Sequence, residues 1–244
     1  MKTCLHSKLS VWKTEVNQEA MIENQYVSPD EQITLRFFSA FLKRWLDIVA
    51  GAAGLIVLSP LFIAVGVIIK LTSPGPVFYR GVRTGRHGVP FRIFKFRTMV
   101  PDAEKTGGPT TGTNDTRVTH LGWLLRRTKI DELPQLINLL TGDMSLVGPR
   151  PEVPLYTAQY KNEEKIILSV RPGITDLSSI QFIDLDNHVG QKDPDLYFRE
   201  NILPTKNALR VRYVREQSLH GDLVLLLKTA AHLARHIANK SSWK

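Results

Sequence analysis

Cysteine is almost missing from this chain: Cys4 is the single one in 244 residues. An intramolecular disulfide is thereby excluded, and a reducing compartment is indicated. Acidic residues are also scarce, 23 Asp and Glu against 32 Lys and Arg, which leaves a formal net charge of +9. That balance points to an anionic partner, and nucleic acid, an acidic membrane face and phosphorylated substrates all qualify. No internal repeat stands out. Residues 1–35 lack the apolar core of a secretory signal peptide and read as a loosely ordered polar arm with room for one helix. The length allows one domain or two small ones.

Charge is absent from Ile48 to Ile69. A helix over that run measures about 33 Å at 1.5 Å per residue, enough to cross a bilayer. So long and apolar a segment is unusual in a soluble core, and membrane association is expected. Ser59-Pro60 interrupts the run near its middle, where proline deletes a hydrogen bond and bends a helix. Lys43 and Arg44 precede it; Lys70, Arg80, Arg83 and Arg86 follow. The positive-inside rule assigns both ends to the cytoplasmic side. A hairpin that dips in and returns satisfies both facts, and a kinked spanning helix is the alternative. Just upstream, residues 36–45 place Phe37, Phe41 and Trp45 on one helical face, with Lys43 and Arg44 on another. The pattern suits a membrane–water boundary or an ordinary amphipathic core helix.

Thr72-Ser-Pro-Gly-Pro76 is a turn. Val77–Tyr79 and Phe91–Phe96 read as short strands joined by GVRTGRHG. Lys95 and Arg97 would leave a strand on the same face, where they could grip a diphosphate or form a solvated edge. Residues 101–113, rich in Gly and Thr, read as a mobile loop, either a cover for a substrate or a mere connection.

The central stretch runs from Asn114 to Glu152 and holds the adjacent carboxylates Asp131 and Glu132, with Arg126, Arg127 and Arg150 around them. Pro134, lacking an amide hydrogen, belongs in the first turn of a helix. The helix carrying Leu133, Leu136, Ile137 and Leu140 should therefore start near Ile130 to Glu132. Asp131 then lies at or beside a helix N-terminus, which favours an ionised carboxylate and an incoming anion. Neighbours on a helix point about 100° apart, so one carboxylate can attack while the other holds a metal. The plainer reading makes Asp131 an N-cap and Glu132 a solvated first-turn residue. Carboxylates among so many cations suggest phosphate chemistry with a divalent metal, and the apolar run suggests that one substrate is a lipid.

KRWLDIVAG…LSPLF, GPVFYR, FKFRTM, DTRVTHLGWLLRRTKIDELPQLINLLTGDMSLVGPRPE and RPGIT, read in order, resemble the bacterial sugar transferases, monotopic phosphoglycosyl transferases acting on polyprenyl phosphate. The resemblance covers about residues 38–235. It implies transfer of a sugar 1-phosphate from a UDP-sugar to undecaprenyl phosphate with release of UMP, Mg²⁺ as cofactor, and a covalent phosphosugar–enzyme intermediate. By motif match the nucleophile would be Asp131, and Glu132 the carboxylate associated with the metal, with Asp131 beside it. Lys95, Arg126 and Arg150 match the family's phosphate-gripping cations; Arg97 and Arg171 are further candidates for phosphate. Ser59-Pro60 matches the break in a re-entrant membrane helix, which selects the hairpin. Chemically, a carboxylate attacks phosphorus only where the phosphate's own charge is neutralised. Pro149 and Pro151 restrict the backbone of Arg150 and could fix its aim.

One departure stands downstream. Much of the family continues PGIT with a small residue, an aromatic and Ala-Gln-Val-Asn-Gly, whereas Thr175 here is followed by Asp176-Leu-Ser-Ser-Ile180. The sugar is left in doubt by that change. His188 with Asp184, Asp186, Asp193 and Asp195 matches no dependable metal-ligand spacing and reads as a solvated loop. A last helix is expected over residues 221–238, with Leu219, Leu223, Leu226, Leu227 and Ala230 on one face, lying on the membrane or packed on the domain. No nucleic-acid recognition motif appears. The expected architecture is an α/β, mostly helical enzyme with a short sheet. It comprises a polar arm (1–35), an interfacial and re-entrant membrane helix (36–71) and a cytoplasmic catalytic domain (72–244), at the inner membrane of a bacterial cell. The alternative is a catalytically silent membrane-bound scaffold that binds nucleotide-sugar or partner proteins. The sugar, the glycan pathway and homo-oligomer formation stay open.

Overall fold

A computed structural model describes residues 29–103, 110–111, 115–182 and 193–241, with side chains between Phe38 and Arg235. Residues 1–28 of the expected arm, most of the Gly- and Thr-rich loop, and the group Asp184, Asp186 and His188 lie outside the described residues. The chain divides into two compact units, Met1–Lys43 and Arg44–Lys244. The first contributes the opening turns of helix α1, Pro29–Thr72.

Helix α1 continues through Ser59 and Pro60 without a non-helical residue. Proline cannot donate to the carbonyl four residues back, which is that of Ile56. The Ser59 hydroxyl donates to that carbonyl instead, at 2.8 Å. The segment expected as helix–break–helix is one continuous helix with Ser59-Pro60 inside it. From Phe38 to Thr72 the helix is long and apolar enough to cross a membrane, and only 17% of its most apolar stretch is buried. Ile56, Val57, Ile63 and Leu71 are each more than 65% exposed. The core helix of a soluble domain would hide such residues; a continuous apolar face left open calls for lipid cover.

Strands are very short. β1 (Phe78–Tyr79) pairs antiparallel with β4 (Lys95–Phe96), and β2 (Val82–Thr84) with β3 (Pro90–Arg92). The linker expected between two strands is thus itself half strand, and Phe91–Phe96 divides into two. Helix α2 (His120–Arg127) is capped by the Thr119 side chain, which accepts from the Gly122 amide. A 3₁₀ turn, Ile130–Glu132, leads through Pro134 into α3 (Gln135–Thr141). β5 (Ser145–Val147) pairs in parallel with β6 (Gly173–Thr175). Between them lie α4 (Pro154–Thr157) and a 3₁₀ stretch, Asn162–Ser169. Among the described residues there are three two-stranded sheets, not one, spread among helices. The C-terminal part is helical: α5 (Leu177–Gln181), α6 (Pro194–Tyr197), a π segment (Phe198–Ile202), α7 (Leu203–Glu216) and α8 (Leu219–Ser241).

Helix α3 rests directly on α1. A Cβ at Gly54 would stand 2.8 Å from Leu136 Cδ1, and one at Gly51 would stand 3.1 Å from Leu140 Cδ2. Absent side chains at these two glycines give α3 its seat. Arg44 and Asp47, one turn apart on α1, lock the contact. Arg44 donates to the carbonyls of Leu139 at 2.6 Å and Leu140 at 3.1 Å, in the last turn of α3. Asp47 is buried and accepts from the Leu146 amide at 2.8 Å and the Ser145 hydroxyl at 3.1 Å. Further along, Val65 and Ile69 of α1 share a cluster with Phe96 and Leu125, and the rings of Phe62 and Phe96 meet edge to face.

Two helix faces differ from the apolar periodicity. In α3 the fully buried residues are Gln135, Asn138 and Leu139, while Leu140 is exposed. Asn138 sets that rotation: it accepts from the Phe94 amide and donates to the Arg92 carbonyl and to Asp143. In α8 the buried positions are Asp222 and Leu225, and Leu223 and Leu227 face outward. There the Tyr213 hydroxyl donates to Asp222, and the Thr175 and Thr229 hydroxyls bond to each other.

Candidate active site

Lys129 is in the left-handed region at φ 58°, which turns the chain sharply out of α2 and into the 3₁₀ turn that presents Asp131 and Glu132. β4 runs alongside and supplies Lys95. Its Nζ is 2.9 Å from Glu132 Oε1. From the far side, Arg150 Nη2 donates to the same oxygen, while Nη1 donates to the Ile174 carbonyl at 3.0 Å. Glu132, Lys95 and Arg150 each keep about a fifth of the side chain exposed, so the group opens to solvent.

Asp131 sits deeper, 6% exposed, and its Oδ1 has no hydrogen-bond partner. Burial, then the negative charge of Glu132, pushes its pKa up to about 6, against the pull of Lys95, Lys129 and Arg126. Glu132 behaves in the opposite way. Burial would raise it, but Arg150 and then Lys95 outweigh burial and hold its carboxyl well below the usual range. Two adjacent carboxylates are thereby separated in role. One is held toward its ionised form by cations, and the other is buried with an unpartnered oxygen.

Arg126 donates from Nε to the Thr98 hydroxyl at 2.9 Å and acts on Asp131 through its charge. Arg97 turns away: its guanidinium donates to the carbonyls of Ser73 and Pro74 at 2.8 and 2.7 Å, where the chain leaves α1. Gly75, at φ 111°, is needed there, because a Cβ would lie 2.2 Å from Arg97 Nη1. Sharing a strand face with Lys95 would have required β4 to continue, and it ends at Phe96. Arg171 donates to the Gly142 carbonyl at 2.9 Å, at the C-terminal end of α3 and roughly 10 Å of helix from the carboxylates. Neither Arg97 nor Arg171 joins the group. Asp193 caps α6 by accepting from the Leu196 amide, and Asp195 accepts from the Tyr156 hydroxyl.

Divalent cations of the Mg²⁺ type take oxygen ligands and often use one or two carboxylates together with substrate phosphates. The residues present fit that pattern. The unpartnered Asp131 oxygen and Glu132 are neighbours, and among the described residues no group of three acidic, His or Cys side chains gathers into a closed metal cage.

Sequence reading missed several residues. Asp176 is buried; it accepts the Arg150 backbone amide at 2.9 Å and caps α5 through the Ser179 amide. It stands where the RPGIT motif departs from the family pattern, and that departure was its only signal. Arg44 and Asp47 bordered the apolar run as charges too close to it to be solvated. Asn138 and Gln135 were polar residues at core positions of a short helix.

A family model described as bacterial sugar transferase matches residues 38–236. The exopolysaccharide production protein ExoY of Rhizobium meliloti is 35% identical over 82% of this chain and 89% of its own length. The UDP-glucose:undecaprenyl-phosphate glucose-1-phosphate transferase of Escherichia coli is 46% identical over 77% of this chain. The UDP-N-acetylgalactosamine-undecaprenyl-phosphate N-acetylgalactosaminephosphotransferase of Aeromonas hydrophila is 40% identical over 78% of it. The chain spans only 39% and 43% of the length of these last two relatives. With a single family covering the apolar helix, the paired carboxylates and the C-terminal helices alike, the chain belongs to the bacterial sugar transferases.

Proposed function

We propose that this enzyme transfers a sugar 1-phosphate from a UDP-sugar to undecaprenyl phosphate and releases UMP. The observation that carries the reading is the pairing of a buried, unpartnered Asp131 with a Glu132 held between Lys95 and Arg150. An ionised Asp131 attacks the phosphorus next to the sugar, and the bond to the UMP phosphate breaks with its electron pair leaving on UMP. An oxygen of undecaprenyl phosphate then attacks the same phosphorus and the acyl phosphate bond breaks, returning Asp131 to a carboxylate. Splitting one transfer into two steps is the usual gain from a covalent intermediate.

Like charges oppose the first step, since a carboxylate approaches a diphosphate. Lys95 and Arg150 lie where their charge can offset that repulsion, with Arg126 and Lys129 close enough to act on Asp131. Mg²⁺ would be held by Asp131 and Glu132 together with the diphosphate, and when bound it neutralises phosphate charge. Desolvation of Asp131 leaves its free oxygen poorly stabilised and hence more reactive.

The apolar helix supports a lipid substrate delivered at the membrane surface, and the basic residues at both ends of the apolar run support a re-entrant course with the catalytic part on the cytoplasmic side of a bacterial inner membrane. The reaction would open assembly of a surface polysaccharide or glycoconjugate. The named activities of the relatives concern different sugars, so the sugar is assigned by experiment: purified enzyme, undecaprenyl phosphate and Mg²⁺, with UMP release measured across a panel of UDP-sugars. Release with one of them supports the reading. Silence with all of them favours a membrane-bound scaffold.

A further inference from the structure

Arg210, in α7, is wholly buried, and it is not part of the group around Glu132. A guanidinium is taken out of water at high cost unless carboxylates meet it. Two do. Arg210 Nη2 is 2.7 Å from Glu152 Oε1, and Nε is 3.5 Å from Asp176 Oδ2. Lys206, one turn earlier on α7, adds a second contact to Glu152 at 3.5 Å.

Both carboxylates hold the same short segment. Glu152 lies two residues beyond Arg150, and Asp176 Oδ2 accepts the Arg150 amide. Pro149 and Pro151 carry no amide hydrogen, so that amide is the single backbone donor of the Pro-Arg-Pro stretch. Asp176 holds the amide at its middle, Glu152 follows its end, and Arg210 links the two through a hydrogen bond to Glu152 and a longer charge contact, without a hydrogen bond, to Asp176. The Arg150 guanidinium leaves this clamped stretch toward Glu132 and the Ile174 carbonyl.

We infer that Arg210 is a positioning residue for Arg150: by joining Glu152 to Asp176 it sets the direction in which the Arg150 guanidinium reaches Glu132. The inference rests on the proposed role of Arg150 at the phosphates. It also accounts for the Asp176 departure from the family pattern as one half of a buried charge pair.

A double-mutant cycle in the purified full chain tests it, with UMP release read as kcat and KM for the accepted UDP-sugar. Arg210→Met should lower kcat at least tenfold. In an Arg150→Lys background, where the forked contact to Glu132 and Ile174 is already lost, the same change should cost less than twofold. Equal losses in both backgrounds would overturn the inference and leave Arg210 a purely structural residue. Full activity in Arg150→Lys and Arg150→Ala would instead overturn the role of Arg150 itself, a separable result. Should Arg210→Met fail to fold, Asp176→Asn replaces it, since Asn keeps an acceptor for the Arg150 amide and removes the charge opposite Arg210. A kcat loss in Asp176→Asn that disappears in the Arg150→Lys background supports the inference, and an undiminished loss rejects it.

Discussion

The Ser59 hydroxyl and the Ile56 carbonyl stand 2.8 Å apart, in the place where the amide of residue 60 would have donated were it not proline. Removing the hydroxyl leaves a helix carbonyl unsatisfied in an apolar stretch, at a cost of about 1–3 kcal/mol. Ser59→Ala should therefore lower the melting temperature in detergent. Pro60→Ala restores the amide donor and should draw the segment toward a straight spanning helix. With Cys4 replaced, single introduced cysteines would report a periplasmic shift of one terminus; unchanged accessibility would mean that proline alone does not set the course.

Glu132 has Lys95 and Arg150 on one oxygen. Glu132→Gln retains the shape but removes the charge between two cations, which then repel each other. Turnover should fall by about 10²-fold or more, the scale of a lost electrostatic element at a reacting centre. The Mg²⁺ concentration for half-maximal rate should rise. An unmoved metal titration would count against a role for Glu132 with the metal.

Asp131 titrates near pH 6 because burial and then Glu132 disfavour its charge. Only the ionised form attacks, so kcat/KM should climb as pH rises through about 6 and then level off. Asp131→Asn should abolish both UMP release and any radiolabelled phosphosugar adduct; a fully active variant rejects the nucleophile assignment.

Stability carries the opposite sign. The folded chain holds the Asp131 proton more tightly than the unfolded chain, so its contribution is complete below about pH 4 and is lost as pH rises through about 6. At pH 7.5 an ionised carboxylate is buried without a partner, a burden on the order of 1–3 kcal/mol. Asp131→Asn should melt a few degrees above the parent at pH 7.5, and the advantage should shrink at pH 5. Melting curves at the two pH values decide it.

Gly51 and Gly54 seat α3 against α1. Gly51→Val would press on Leu139 and Leu140 and cost about 1–3 kcal/mol as an overpacked contact. Activity should drop while the protein still sediments with membranes. Full activity would show that the site tolerates displacement of α3.

What the sequence made legible was local. An uncharged run was legible as helix and the proline just past two acids as a helix start, although α3 begins only at Gln135, with Pro134 as its N-cap and both acids in a separate 3₁₀ turn before it. Lys95 and Arg97 show the limit: two positions apart, they were expected on one face, but where β4 stops is decided by its pairing with β1 and by carbonyls more than twenty residues away. The buried faces of α3 and α8 were misjudged for a related reason. Asn138 and Thr229 find partners more than forty residues away and Asp222 one on the preceding helix, and such hydrogen bonds outweigh one leucine's worth of periodicity. Arg210 gave no signal at all, since a buried and a solvated arginine are spelled alike.

The lock formed by Arg44 and Asp47 bears on anyone preparing the protein. Trimming away the greasy segment to gain a water-soluble fragment would also discard the cap on the end of α3 and the acceptor beneath β5, and so loosen the scaffold that carries both acids. Detergent, nanodisc or lipid cubic phase with the anchor retained is the preparation in which a working catalyst should survive.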